Sequence, residues 1–257
     1  MVQQGSEVTF ATPRQVALVT GSSGGIGAAV VEALRARGDL VIGADRGPLD
    51  GQAITGFHEL DVTDAQRSRD VIRQVMADHG RIDVLVHAAG VLGETPDPLL
   101  TTTEEFERIM RINASGTFTI TREVAVAMRR IGTKGAILLL SSVAAKEARI
   151  DYLPYNASKI AVLHIMWSMA KILGPNGISV NAVNPGPVDT PMWAQLAGQS
   201  GAARAARDFR ASQLPMQRFA QSSEVASAIA FLTDRANRYI TGVSLDVAGG
   251  AHLGMGS

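Results

Sequence analysis

Ser142, Tyr155 and Lys159 place a hydroxyl, a phenol and an ammonium within one short stretch, "SSVAAKEARIDYLPYNASK". Pro154 suits the first turn of a helix, and "YNASKIAVLHIMWSMAKIL" continues it with good helix formers. Tyr155 and Lys159 are then four residues apart, one turn along one face. A free phenol titrates near ~10 and is a poor base at neutral pH. A neighbouring ammonium favours its phenolate. Lowering such a pKa by about three units takes roughly 4 kcal/mol of differential stabilisation. A phenol tuned in this way is a general acid–base group near neutral pH. The chemistry it suits is removal of a proton from an alcohol as hydride leaves the adjacent carbon, and the reverse. A lone Tyr-x3-Lys on a helix is usually an ordinary surface pair, so the reading depends on what surrounds it.

The second chemical stretch is "ALVTGSSGGIGAAVVEAL", which sets Gly21, Gly25 and Gly27 between an apolar run and a helical pattern. Gly21 suits the tight turn, Gly25 a close approach of backbone to a pyrophosphate, and Gly27 close packing of helix on sheet. The free N–H groups at the helix start favour phosphate. Glycine also collects in plain turns; the strand before and the helix after tip the motif toward a nucleotide loop. A second apolar run, "LVIGAD", ends at Asp45. A carboxylate there accepts hydrogen bonds from a ribose diol and repels a 2′-phosphate, which favours NAD over NADP. Arg46 leaves NADP open, because a guanidinium pairs with a 2′-phosphate.

These groups need a frame. Seven apolar runs read as strands: "QVALVT", "LVIGAD", "GFHELDV", "IDVLVHAAG", "GAILLLSS", "GISVNAVNPG" and "VSLDVAGG". Their apolar residues are continuous rather than alternating, as in strands buried on both faces. Helical patterns lie between them, so the strands are parallel. Right-handed crossovers then give an α/β fold, a single Rossmann-type doubly wound parallel sheet of seven strands with helices on both faces. Residues 1–257 read as one domain without linker or repeat. Residues 1–14 are a polar lead-in, and about 191–215 form an insertion that suits a substrate lid.

Composition narrows the function. The chain has 257 residues, 46% hydrophobic and 19% charged, with Lys plus Arg equal to Asp plus Glu. Zero formal charge argues against a nucleic-acid partner. There is no cysteine, which removes disulfides and thiolate metal sites and suits the cytoplasm. The start lacks the pattern of a signal peptide, and no apolar stretch is long enough to span a bilayer, so no membrane partner is expected. His58, His79, His164 and His252 lack paired ligand spacing, and no metal is expected.

Taken together, "TGSSGGIG", "HAAG", "YNASK" and "NPGPVDT" resemble the ordered motifs of the short-chain dehydrogenase/reductase family, over about Val16 to Gly250. The resemblance implies a nicotinamide cofactor and a small-molecule alcohol or ketone substrate. Its spacing picks Ser142 rather than Ser141, which should face the other side of the strand. It also implies a tetrad of Asn113, Ser142, Tyr155 and Lys159. In that tetrad Asn113 holds a water that relays protons to Lys159, and Lys159 binds the nicotinamide ribose. It assigns Ser23 and Ile26 to the cofactor loop, Asp61 and Val62 to the adenine, and Ala89 and Gly90 to the adenosine side. Pro185, Gly186, Val188 and Thr190 fall at the nicotinamide end. His87 departs from the family, which commonly has asparagine there. Family members are often tetramers or dimers, so a homo-oligomer is expected.

The loop between Ser142 and Tyr155 holds Lys146, Glu147 and Arg149; the short link between the second and third strands, "RIDYLPYNASK" and the ending "GGAHLG" resemble the 2,3-dihydro-2,3-dihydroxybenzoate dehydrogenases. That branch implies a small cyclic hydroxy or dihydrodiol substrate, with a carboxylate near Arg149; a solvent-facing arginine is the equal alternative. Met192 and Trp193 either pack on substrate or anchor the insertion. Met166, Trp167 and Met169 read as core or subunit contact. Two rival functions stay open: an NADPH-dependent ketone or 3-ketoacyl reductase, and a non-catalytic nucleotide-binding scaffold on the same fold.

Overall fold

A computed structural model describes residues 14–49, 51, 54–93, 97–147, 151–190 and 201–253. The lead-in up to residue 13 lies outside them.

Every one of the seven apolar runs contains a strand. These are β1 (Val16–Thr20), β2 (Leu40–Asp45), β3 (Gly56–Glu59), β4 (Val84–His87), β5 (Ala136–Leu140), β6 (Ser179–Pro185) and, near the end, β9 (Ser244–Val247). They form one sheet in the order β3-β2-β1-β4-β5-β6-β9. All six pairings are parallel. Two-residue strands β7 (Val188–Asp189) and β8 (Ala220–Gln221) pair separately. They are too short to leave a pattern in the sequence.

Among the described residues the α-helices are α1 (Gly25–Ala36), α2 (Ala65–His79), α3 (Thr103–Met110), α4 (Gly116–Ile131), α5 (Leu153–Leu173), α6 (Gly201–Ser212) and α7 (Ser222–Leu232). Alternate residues of β1 feed two cores. Val16 and Leu18 join the core that holds residues of α2, α4 and α5, whereas Ala17 and Val19 join the one that holds residues of α1 and α7. The inner strands β1, β2, β4, β5 and β6 are therefore buried on both faces, as their unbroken apolar runs require, whereas the edge strands β3 and β9 are only partly covered. Asp64 caps α2 by accepting from Arg67 N at 2.8 Å, and Gly80 ends it in the left-handed conformation.

Because β1 pairs with β2 on one side and β4 on the other, the winding reverses beside β1. Loops at the carboxyl ends of the strands part there and leave a crevice, the usual ligand position in such sheets.

Candidate active site

The glycine loop lies at that crevice. Gly21 has φ +71, and a Cβ on it would stand 2.5 Å from Ala89 N. A Cβ on Gly27 would come within 1.9 Å of Gly21 O. Both positions therefore exclude any side chain, and α1 starts close against the loop. Asp45 holds the loop from β2, accepting from Ser23 N at 2.9 Å and from Arg46 N at 2.8 Å. Ser23 Oγ donates to Gly47 O.

A cavity of ≈ 480 Å³ runs over this loop. Gly21, Ser23, Gly25, Ile26, Gly27, Asp45, Asp61, Val62, Ala89, Gly90 and Thr190 all line it. Asp61 accepts from Thr63 N and Thr63 Oγ1, and these bonds hold its carboxyl below the usual range, aided by the Arg46 charge. Arg46 and Arg108 also line the cavity. Nothing in the sequence signals Arg108, which reaches the crevice from α3.

A smaller cavity of ≈ 100 Å³ holds the second group: Ser142, Tyr155, Lys159, Pro185, Gly186, Val188 and Thr190. It shares Ile26, Ala88, Gly90, Val91, Leu140 and Thr190 with the larger one. The two chemical stretches thus meet at one place. A dinucleotide fits this pair of cavities: a glycine-rich loop at a helix start faces one end, and the phenol and ammonium face the other.

Lys159 is buried and donates to Leu140 O at 2.8 Å. Burial lowers its pKa to about 8. Its ammonium lies 5.5 Å from the centre of the Tyr155 ring. Ser141 Oγ donates to Lys159 O at 2.9 Å, so it serves the backbone of α5. Ser142 Oγ accepts from Ala144 N at 3.2 Å and opens a short 3-10 turn over Val143–Ala145.

Asn113 lines neither cavity. It sits behind them in a π-helical turn, Arg111–Ser115, which joins α3 to α4. Its side chain accepts from Val91 N at 2.9 Å and donates to Val91 O at 2.8 Å and Ser158 Oγ at 2.9 Å. A Cβ on Gly90 would stand 3.2 Å from Asn113 Oδ1 and 3.4 Å from Lys159 Nζ. Glycine at 90 leaves the amide and the ammonium a shared space.

Around the mouth, Tyr152 takes φ 52, a strained turn for a non-glycine residue. Asn156 donates to Asp151 O at 2.6 Å just behind it. Among the described residues the expected insertion carries α6, which is tied by Arg207 to Asp189 at 2.7 Å and by Arg210 to Asp151 at 3.5 Å. Met192, Trp193 and Arg149 lie outside the described residues. Met166 is core, while Trp167 is half exposed and packs edge-on to His164. His87 is buried at the end of β4, its Nδ1 2.7 Å from Thr20 Oγ1. Burial, then the nearby Lys159 charge, lowers its pKa to about 3.

A family model described as enoyl-(acyl carrier protein) reductase matches residues 21–252. The chain is 34% identical over 248 residues to the 3-oxoacyl-[acyl-carrier-protein] reductase FabG of Escherichia coli (strain K12), covering 93% of this chain and 98% of that protein. It is 32% identical to the L-fucose dehydrogenase of Mus musculus, covering 94% and 90%. Among solved structures, a point variant of the actinorhodin polyketide ketoreductase with NADPH superposes with a TM-score of 0.87 at 30% identity, covering 93% and 97%.

Proposed function

The chain belongs to the short-chain dehydrogenase/reductase family of oxidoreductases acting on CH–OH groups, and from this premise we propose an NAD(H)-dependent enzyme that interconverts a secondary alcohol and its ketone on a small cyclic hydroxy or dihydrodiol compound. The observation that carries the reading is the sharing of walls between the glycine-loop cavity and the cavity of Tyr155.

When bound, the nicotinamide supplies the carbon that accepts or returns hydride. Tyr155 takes the hydroxyl proton of the substrate in oxidation and returns it in reduction. The Lys159 ammonium favours the phenolate on which that transfer depends. Ser142 holds the substrate oxygen beside the phenol. Asn113 keeps a water in line with Lys159 for proton relay, and the glycine at 90 leaves room for it. Asp45 receives the adenosine ribose hydroxyls, with its carboxylate already fixed by two backbone N–H groups.

The reading of a small cyclic substrate rests on the likeness of "RIDYLPYNASK" to the dihydrodiol dehydrogenases. A substrate carboxylate would fall to Arg149. If Arg149→Ala leaves the Michaelis constant for a carboxylated diol unchanged, that element fails. The second reading is an NADPH-dependent reductase of ketones or 3-ketoacyl groups. It is favoured by Arg46 in the adenosine cavity and by the relatives' names. We assign the chain to the cytoplasm as one catalytic domain that assembles with its own copies. Exposed Phe118 and Val126 on α4 and Ile160 and Trp167 on α5 supply apolar surface for that assembly.

The deciding experiment is Tyr155→Phe with NADH binding followed by fluorescence. Turnover should vanish while NADH still binds. Undiminished turnover would remove the mechanism, and absent NADH binding by the wild type would remove the function.

A further inference from the structure

We propose that Lys146 is a positioning residue: its ion pair with Asp246 on the edge strand β9 fixes the turn that carries Ser142. This rests on the reading of Ser142 as the group that holds the substrate oxygen.

Each link is a contact in the structure. Asn184 and Asp246 are direct partners across β6 and β9. Asn184 is fully buried and donates to Asp246 Oδ1 at 2.7 Å and to Ser244 Oγ at 2.6 Å. The Asp246 carboxylate is thereby aimed before anything else reaches it. Lys146 Nζ donates to the same Oδ1 at 2.6 Å and to Ser244 O at 3.2 Å. Both charged side chains are largely shielded, at 33% and 20% exposed. A shielded, charge-assisted bond of this kind orients better than an open surface pair.

The Lys146 backbone closes the other end. Its N–H donates to Val143 O at 2.9 Å, and Ala144 N donates to Ser142 Oγ. The turn from Ser142 to Lys146 is thus pinned at its start by β5 and at its end by β9. Without the far pin, the Ser142 hydroxyl keeps its chain position but loses its aim. Misplacement of a reacting group by 1 Å can cost about 100-fold in rate.

The test compares the wild type with Lys146→Met, Lys146→Arg and Ser142→Ala. Two readouts are used: amide hydrogen exchange of the peptide 142–147, and NAD-linked oxidation of trans-1,2-cyclohexanediol. Lys146→Met should speed exchange in that peptide at least about fivefold and lower kcat at least about tenfold. NADH affinity and melting temperature should hold. Lys146→Arg should recover both readouts.

Unchanged exchange in Lys146→Met overturns the proposal, even where the diol is not a substrate. So does an unchanged kcat when Ser142→Ala is inactive. So does a loss that falls equally on NADH binding and that arginine does not restore. Full activity of Ser142→Ala instead overturns the role given to Ser142, while faster exchange in Lys146→Met would still show the pin.

Discussion

The Lys159 ammonium lies 5.5 Å from the centre of the Tyr155 ring and donates at 2.8 Å to the carbonyl of Leu140. A cation is held beside a phenol by a strand end, with little of its side chain exposed. Burial brings its pKa from 10.5 to about 8. The unfolded chain therefore binds more protons than the folded chain between those two values. Below pH 8 the whole penalty, about 3 kcal/mol from the size of the shift, acts against folding. It is relieved as pH rises from 8 to 10.5.

Lys159→Met should accordingly abolish turnover yet raise apo-protein stability at pH 7. Urea unfolding at a series of pH values checks this. The advantage of the variant should shrink steadily between pH 8 and pH 10.5. A variant less stable than wild type throughout would contradict it.

Asp45→Ala removes the carboxylate proposed to receive an adenosine ribose and frees Ser23 N. The ratio of kcat/KM for NADPH to that for NADH should rise at least about tenfold, or about 1.4 kcal/mol. Arg46→Ala should move the ratio the other way. Steady-state kinetics with both cofactors reads the result, and an unmoved ratio in both variants would deny these residues any role in the choice.

His87 stays neutral when folded, with a pKa of about 3 set first by burial. The unfolded imidazole takes a proton below about 6.5. Stability should therefore fall as pH drops from 6.5 toward 3, by up to about 5 kcal/mol over the full range. His87→Asn should flatten that acid slope, with about 3 kcal/mol less lost between pH 7 and pH 4. Acid unfolding followed by circular dichroism measures it.

Gly90→Ala places a methyl 3.2 Å from Asn113 Oδ1 and 3.4 Å from Lys159 Nζ. It should fill the space between the amide and the ammonium, lowering kcat at least about tenfold. The melting temperature should fall by about 2–12 °C, since overpacking of one methylene typically costs about 1–3 kcal/mol. Wild-type kcat in this variant would show that the space is idle.

The strands are legible because double burial leaves continuous apolar runs, and the glycine loop because a missing Cβ is a visible requirement. Tyr155 and Lys159 are legible because a helix converts a four-residue spacing into adjacency. Other features leave no such mark. The depth of Lys159, the strained φ of Tyr152 and the reach of Arg108 all depend on tertiary packing. Lys146 reads as one more loop charge until Asp246, a hundred residues later, is found beside it. Helix α6 reads only as an insertion without a strand, since Phe209 is the one large apolar residue in its Ala- and Arg-rich sequence.

The widened turn at Arg111–Ser115 has one more consequence. Each residue of a regular helix advances about 100°, so restoring the ordinary ladder there would swing the residues on one side of it relative to the other. Asn113 could then no longer face Val91 and Ser158 while α4 stayed seated on the sheet. The irregular backbone works as an angular shim, and shortening the chain by one residue at this point should disable the site while leaving each helix individually sound.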